Sequence, residues 1–504
     1  MFAAVDRWVQ RIDRQRSVLP LFAALGALLL LQMWPAAWNG NEEAYFQLGY
    51  RTFAPESFPQ FHAAFDTAYA RVVPMYLLGA AVHLLGYDGA HQVARILMAI
   101  LYAAGLAYFF SALRFSVWDA LLVVVAFILA GERLMGGEWL FRGVESRTMA
   151  YGLLFFGFGF ALRRRWIAAT ITGAAATYMH FLVGGFWTAM ILVQQWLETR
   201  QRRELGRVLA VYVILTLPLA WLIVRDQVIG ATPAHGLAEQ IYAARAAWHV
   251  APFRSRGALW NWMPGIVSTV ALLLVLGAAG RHHRSDDRAG RLVRRTALLG
   301  LAYLLVALVA AFADRHTQIL AKFYVFRPST LTLFLSITTI VALLSEWLVN
   351  SAAAVESLVV FALVVSVSWQ TLRMQVDRSR EAVSALPQRG ELVAAIESHT
   401  APGDVVLIEP VREFDVNYIS LHRQIPRPTL VTRKFVPSNW ADVLRWHSYL
   451  EIRKAVFANG CPARTPIPIR WLVTLQAESA ARLASCGPPV WRKANVALIP
   501  VRAH

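Results

Sequence analysis

The chain has 504 residues, of which 57% are hydrophobic and only 16% charged, well below the roughly 25% charged content of soluble domains. With a mean hydropathy of +0.46 this is not an ordinary soluble enzyme. A net charge of +18 that is spread over loops, with no basic soluble module interleaved with aromatics, excludes nucleic-acid binding.

The N-terminal "RWVQRIDRQR" is basic and precedes the first apolar run, Val18 to Ala37, which predicts a cytoplasmic N-terminus. No small-residue cleavage site follows that run, so it reads as a retained span rather than a signal peptide. "WNGNEEAYF" then places two adjacent carboxylates, Glu42 and Glu43, where the chain leaves the bilayer. Four apolar runs follow, near 72–87, 93–114, 117–131 and 148–162, before the basic cluster at Arg163 to Arg165. An external start and a cytoplasmic end need an odd number of crossings. Either the run 72–87, with Pro74 and His83, is juxtamembrane or re-entrant, or 93–131 bends and crosses once.

Basic clusters at 200–207 and 281–295 frame hairpins of spans near 166–180 with 183–198 and 207–224 with 264–280, and runs near 296–313, 328–349 and 351–372 carry the chain outside again. The expected architecture is a polytopic α-helical membrane protein of roughly 10–12 transmembrane helices, because apolar runs of about 20 residues suit a bilayer. From about Arg373 the pattern changes. "LPQRGELVAAIESHTAPGDVVLIEP" reads as helix, Pro-Gly-Asp turn and buried strand, and "RWLVTLQAESAARLASCGPPVWRKANVALIPV" as strand, helix and strand pair. Residues 1–377 are thus a transmembrane domain, and residues 378–504 a small C-terminal extracytoplasmic α/β domain. The two cysteines, Cys461 and Cys486, are too few for a zinc-finger site; a disulfide and a pair of buried thiols both remain open.

Charged groups beside spans are expensive and mark functional candidates. They fall in four external loops. Loop one holds Glu42, Glu43, Glu56 and Asp66; loop two (131–151) holds Glu138, Arg142, Glu145 and Arg147. Loop three contains "ARAAWHVAPFRSR" with His249 and Arg254, and loop four is "DRHTQILAKFYVFRP" with Arg327. A carboxylate can take a proton from an attacking hydroxyl, and arginine forks suit the charge of a departing phosphate. That combination fits sugar transfer from a lipid phosphate.

The stretch "FRGVESRTMAYGLLFFGFGFALRRRWIAATITGAAATYMHFLVGGF" resembles the second-loop region of GT-C superfamily glycosyltransferases, and looks closest to bacterial members. "NEEAYF" after the first span, "ARAAWHVAP" and "KFYVFRP" extend the likeness more weakly. The resemblance implies a GT-C-like fold and transfer from a polyprenyl-phosphate-linked sugar donor to a glycan, lipid or protein acceptor, among membrane lipids. It also implies the bacterial inner membrane as location, with the terminal domain periplasmic. By the same resemblance Glu42 is the base, with Glu43 as alternate, since adjacent helical residues point about 100° apart; many members have Asp there.

Glu145 resembles the second-loop acid, which orients the acceptor or, in some relatives, binds a divalent metal. Two acids distant in sequence do not define a metal site, so no metal ligand and no certain cofactor is assigned. Arg142, Arg147 and Arg327 are candidates for the donor phosphate, with headgroup anchoring as the alternative for each. His180, His249 and Arg254 are candidates for substrate binding. A transporter or a non-catalytic scaffold is the rival reading; the first predicts inverted repeats, and none is visible.

Overall fold

The computed structural model describes residues 18–501 apart from 35–36, 56–70, 226–235, 283–287, 349–352, 385–387, 412–415, 426, 430–432, 435, 438–439 and 462–467. The basic N-terminal segment and the loop-one acids Glu56 and Asp66 lie outside the described residues.

Helix α1 (Val18–Gln32) leads to α2 (Gly40–Phe53), which carries the acidic pair in its first turn. Helix α3 (Val72–Ala112) is 41 residues long and bends at Gly86, whose φ of 69° only glycine adopts without strain. At 1.5 Å per residue the piece 72–85 is about 21 Å long, short of a hydrocarbon core of about 30 Å, while 87–112 exceeds it. The first two of the four apolar runs are therefore one bent element. With α4 (Val117–Leu129) and α5 (Ser146–Leu162) the stretch comprises three helical elements, and the break falls at the end of the 72–87 run.

The chain continues through α6 (Trp166–Met179), α7 (Phe181–Thr199) and α8 (Arg202–Val224) to the short α9 (Leu237–Arg245) and α10 (Ala247–Val250). Helices α11 (Arg256–His282), α12 (Arg288–Ala313), α13 (Ser329–Leu348) and α14 (Ala353–Ser384) follow. Among the described residues five helices are long and apolar enough to cross a membrane by length and composition: α3, α8, α11, α12 and the central part of α14. The shorter α5 and the bent α3 form the centre of the bundle. There Phe109, Phe110, Phe127, Phe155 and Phe334 interlock with ring centroids 5.1 to 6.4 Å apart. Lipid is as apolar as these rings, so the association rests on packing rather than on expulsion of water.

The terminal segment builds α15 (Arg389–His399), β1 (Val405–Ile408), α16 (Val416–Gln424), α17 (Trp440–Asn459), β2 (Ile469–Thr474), α18 (Ala477–Arg482), β3 (Trp491–Lys493) and β4 (Val496–Pro500). The sheet order is β1-β2-β4-β3, with β1 and β2 parallel and the other pairs antiparallel. Alternate residues feed two cores. Val405, Leu407, Leu472 and Ile499 pack on Trp446 and Phe457 of α17, and Val406, Ile408, Val473 and Leu498 pack on α15 and α16. A strand covered on both faces must be apolar throughout, which is why "VVLI" and "VALI" read as unbroken runs. Cys461 and Cys486 are both free thiols.

Candidate active site

Helix α2 starts where Asn39 folds back: its Oδ1 accepts from the Asn41 and Glu42 amides at 3.0 and 2.9 Å, and Glu42 Oε2 accepts from the Asn39 amide at 3.2 Å. This capping box turns the Glu42 carboxylate into the protein. There Arg95 of α3 donates to it twice, at 2.8 and 2.6 Å, Val144 N donates at 2.8 Å, and His91 Nε2 lies 3.3 Å away. Gly143 is required beside it, since a Cβ at that position would lie 2.7 Å from Glu42 Oε1. Burial alone would raise the carboxyl, but the Arg95 charge and the hydrogen bonds from His91 and Arg95 outweigh it and hold Glu42 at about 2. Glu43 points elsewhere, as adjacent helical residues must: Arg423 of α16 binds it at 2.8 and 3.1 Å, and Ser420 and Gln47 complete its shell.

A second cluster draws on all four loops and on the terminal domain. Glu138 contacts Arg147, lies 3.4 Å from His249 Nε2 and 3.7 Å from Arg327. Arg147, in the first turn of α5, also reaches Glu145 at 3.1 Å. His180, between α6 and α7, accepts the Val183 amide with Nδ1 and faces Arg327 with Nε2. Lys434 arrives from the terminal domain and donates to Asn41. It is placed by Arg245, which bonds the carbonyls of Arg433 and Lys434. Arg71 binds the Tyr45 hydroxyl at 3.0 Å, and Ser146 meets the same oxygen at 3.2 Å.

The electrostatics of the two acids are opposite. Burial pushes Glu145 up, to about 7, against the pull of the Asn41 amide, Lys434 and Arg327. Burial likewise lowers His249 well below its usual range and leaves the imidazole neutral. Arginines nonetheless crowd the cluster, and the Nε groups of Arg71, Arg147 and Arg327 are buried without a hydrogen-bond partner. Buried guanidinium donors left open are costly and describe a place for an anion.

Of the residues singled out from sequence, Glu145, Arg147, His180, His249 and Arg327 are brought together. Glu42 and Glu43 are engaged by other partners, Arg142 is tied to Glu132 at 2.6 Å, and exposed Arg254 bonds the Ala244 carbonyl away from the cluster. Glu138 is the hub that sequence left without a role, although it stands in loop two. Lys434, Arg71 and Asn41 carried no signal, because nothing in their local pattern says what they meet. Among the described residues no group of three His, Cys, Asp or Glu side chains gathers as metal ligands do.

The fold and cluster define a mostly helical membrane protein with a small C-terminal α/β layer packed over a buried polar centre. No family model matches the chain, and no curated protein does. A crystal structure of ArnT from Cupriavidus metallidurans in the apo state aligns over 99% of both chains at 13% identity, with a TM-score of 0.42. A likeness that slight carries no argument about what this chain does.

Proposed function

We propose that the chain is a GT-C-type integral membrane glycosyltransferase that moves a sugar from a polyprenyl-phosphate-linked donor to an acceptor hydroxyl at the outer face of the bacterial inner membrane. The observation that carries this reading is the pairing of a carboxyl raised to about 7, Glu145, with three arginines, Arg71, Arg147 and Arg327, whose Nε groups are buried and open. A carboxylate at that value is a competent base near neutral pH, whereas Glu42, held at about 2 by Arg95 and His91, is a poor one. The base role read onto Glu42 from sequence therefore passes to Glu145, and Glu42 serves as the clamp that fixes loop two. In the proposed step Glu145 takes the acceptor proton as the acceptor oxygen attacks the anomeric carbon with inversion. The bond from that carbon to the phosphate oxygen breaks, and the phosphate leaves with the electron pair, held by Arg147, Arg327 and Lys434.

The test is transfer by purified full-length protein from a panel of radiolabelled polyprenyl-phosphate sugars. Glu145→Gln is expected to lose about 100-fold or more in turnover while keeping the wild-type melting profile. Turnover within threefold of wild type in that variant would remove Glu145 as the base, and no transfer from any donor would remove the transferase reading.

A further inference from the structure

A second polar cavity lies apart from the Glu145 cluster, between the C-terminal ends of α1 and α4, the Arg95 turn of α3 and the middle of α14. Its volume is about 180 Å³, and its lining includes Arg95, Arg142, Arg378, Gln32, Gln375 and Thr371 and, among the described residues, no Asp or Glu; Arg95 and Arg142 are paired behind the wall with Glu42 and Glu132. The two glutamines are buried, at 8% and 7% exposure. The Thr371 hydroxyl donates to Gln32 Oε1 at 2.8 Å, which leaves the Gln32 amide nitrogen without a partner, as is Gln375 Oε1. Arg95 spends three donors, on Glu42 and on the Trp34 carbonyl, out of the five a guanidinium has.

A recess lined by three guanidinium groups and the open Gln32 N–H suits an anion with several oxygens, and the open Gln375 Oε1 can accept from a headgroup hydroxyl. What surrounds it says how that anion is carried. Ile128, Leu129, Val367 and Met374 form the remaining walls; Leu129 at the rim is 48% exposed, and the α14 stretch Ser357–Glu381 is long and apolar enough to cross a membrane, the kind of surroundings that meet acyl chains.

We propose that this cavity binds the phosphate of an anionic membrane lipid, with the headgroup on Arg95, Arg142, Arg378 and the two glutamines and the chains along α14. The proposal does not depend on the transferase reading, because it uses a different set of residues and a binding readout. The experiment is native mass spectrometry and thermal melting of the delipidated full-length protein in detergent, with phosphatidylglycerol, phosphatidylcholine or inorganic phosphate as probe. Phosphatidylglycerol is expected to stay bound and to raise the melting temperature, with phosphatidylcholine and inorganic phosphate weaker by about tenfold or more in apparent affinity. Arg378→Gln, at the exposed rim, and Gln375→Leu are expected to weaken phosphatidylglycerol by a similar factor. Arg373→Gln, on the same helix but outside the cavity, keeps wild-type binding. Equal retention by Arg378→Gln, Gln375→Leu and wild type overturns the site, and equal stabilisation by inorganic phosphate overturns the lipid as its source.

Discussion

Glu42 accepts from the amide of Val144 and Glu145 is the next residue along the chain, yet the two carboxylates have opposite fates because their partners differ. Glu42 is surrounded by donors and depends on its charge. Its folded value of about 2, against 4.5 for a free carboxyl, means the stabilisation is present above pH 4.5 and is lost as pH falls toward 2, roughly 3 kcal/mol in all. Glu42→Gln leaves Arg95 buried without its counter-charge and is expected to cost about 3–5 kcal/mol, read as a lower melting temperature in detergent. Glu145 has the reverse sign. Its value is raised, so the protonated form favours the fold below pH 4.5, and that contribution is lost as pH rises through about 7. On the proposed mechanism the same ionisation creates the base, so turnover is expected to climb with a midpoint near pH 7; a flat profile from pH 6 to 8 would contradict the assignment. The acidic pair was legible in sequence as a pair at a span exit. Which of the acids is neutralised was not, since Arg95 lies 53 positions from Glu42 and nothing local announces it.

At the scale of elements, the hydropathy pattern located the helices well, because a bilayer imposes length and apolarity together. It separated 72–87 from 93–114, since Asp88, His91 and Arg95 interrupt the apolar run. The structure keeps those charges on one helix and bends it at Gly86 instead. That bend is what carries His91 and Arg95 to Glu42. Nothing lies within 4 Å of a Cβ built on Gly86, so Gly86→Ala tests backbone strain without a clash. It is expected to cost about 1–3 kcal/mol in stability, measured by thermal unfolding, whereas Gly206→Ala, in the first turns of α8 with nothing near a Cβ built there, is expected to gain about 0.5–1 kcal/mol. The terminal strands and helices were legible for a related reason: the Pro-Gly-Asp turn and the unbroken "VVLI" run each have one simple structural meaning.

For the molecule as a whole, the terminal domain is part of the polar centre rather than an appendage. Arg423 and Ser420 close on Glu43, and Lys434 reaches Asn41 beside Glu145. This docking was not legible in the sequence, because contacts across nearly 400 positions leave no periodic trace. Lys434→Ala is expected to lower kcat by about 100-fold with little change in KM, as befits a group that meets charge appearing on the leaving phosphate. A matching rise in KM with kcat intact would assign Lys434 to ground-state binding.

The strap that Arg245 holds by the carbonyls of Arg433 and Lys434 has a further consequence in time. A ribosome delivers Glu42, Glu138, Glu145, His249 and Arg327 long before Lys434, and domains fold in the order they emerge. The polar centre therefore stays incomplete until the segment carrying Lys434 has been made and the terminal domain around it has folded, and a product stalled before that point lacks this cation beside Asn41.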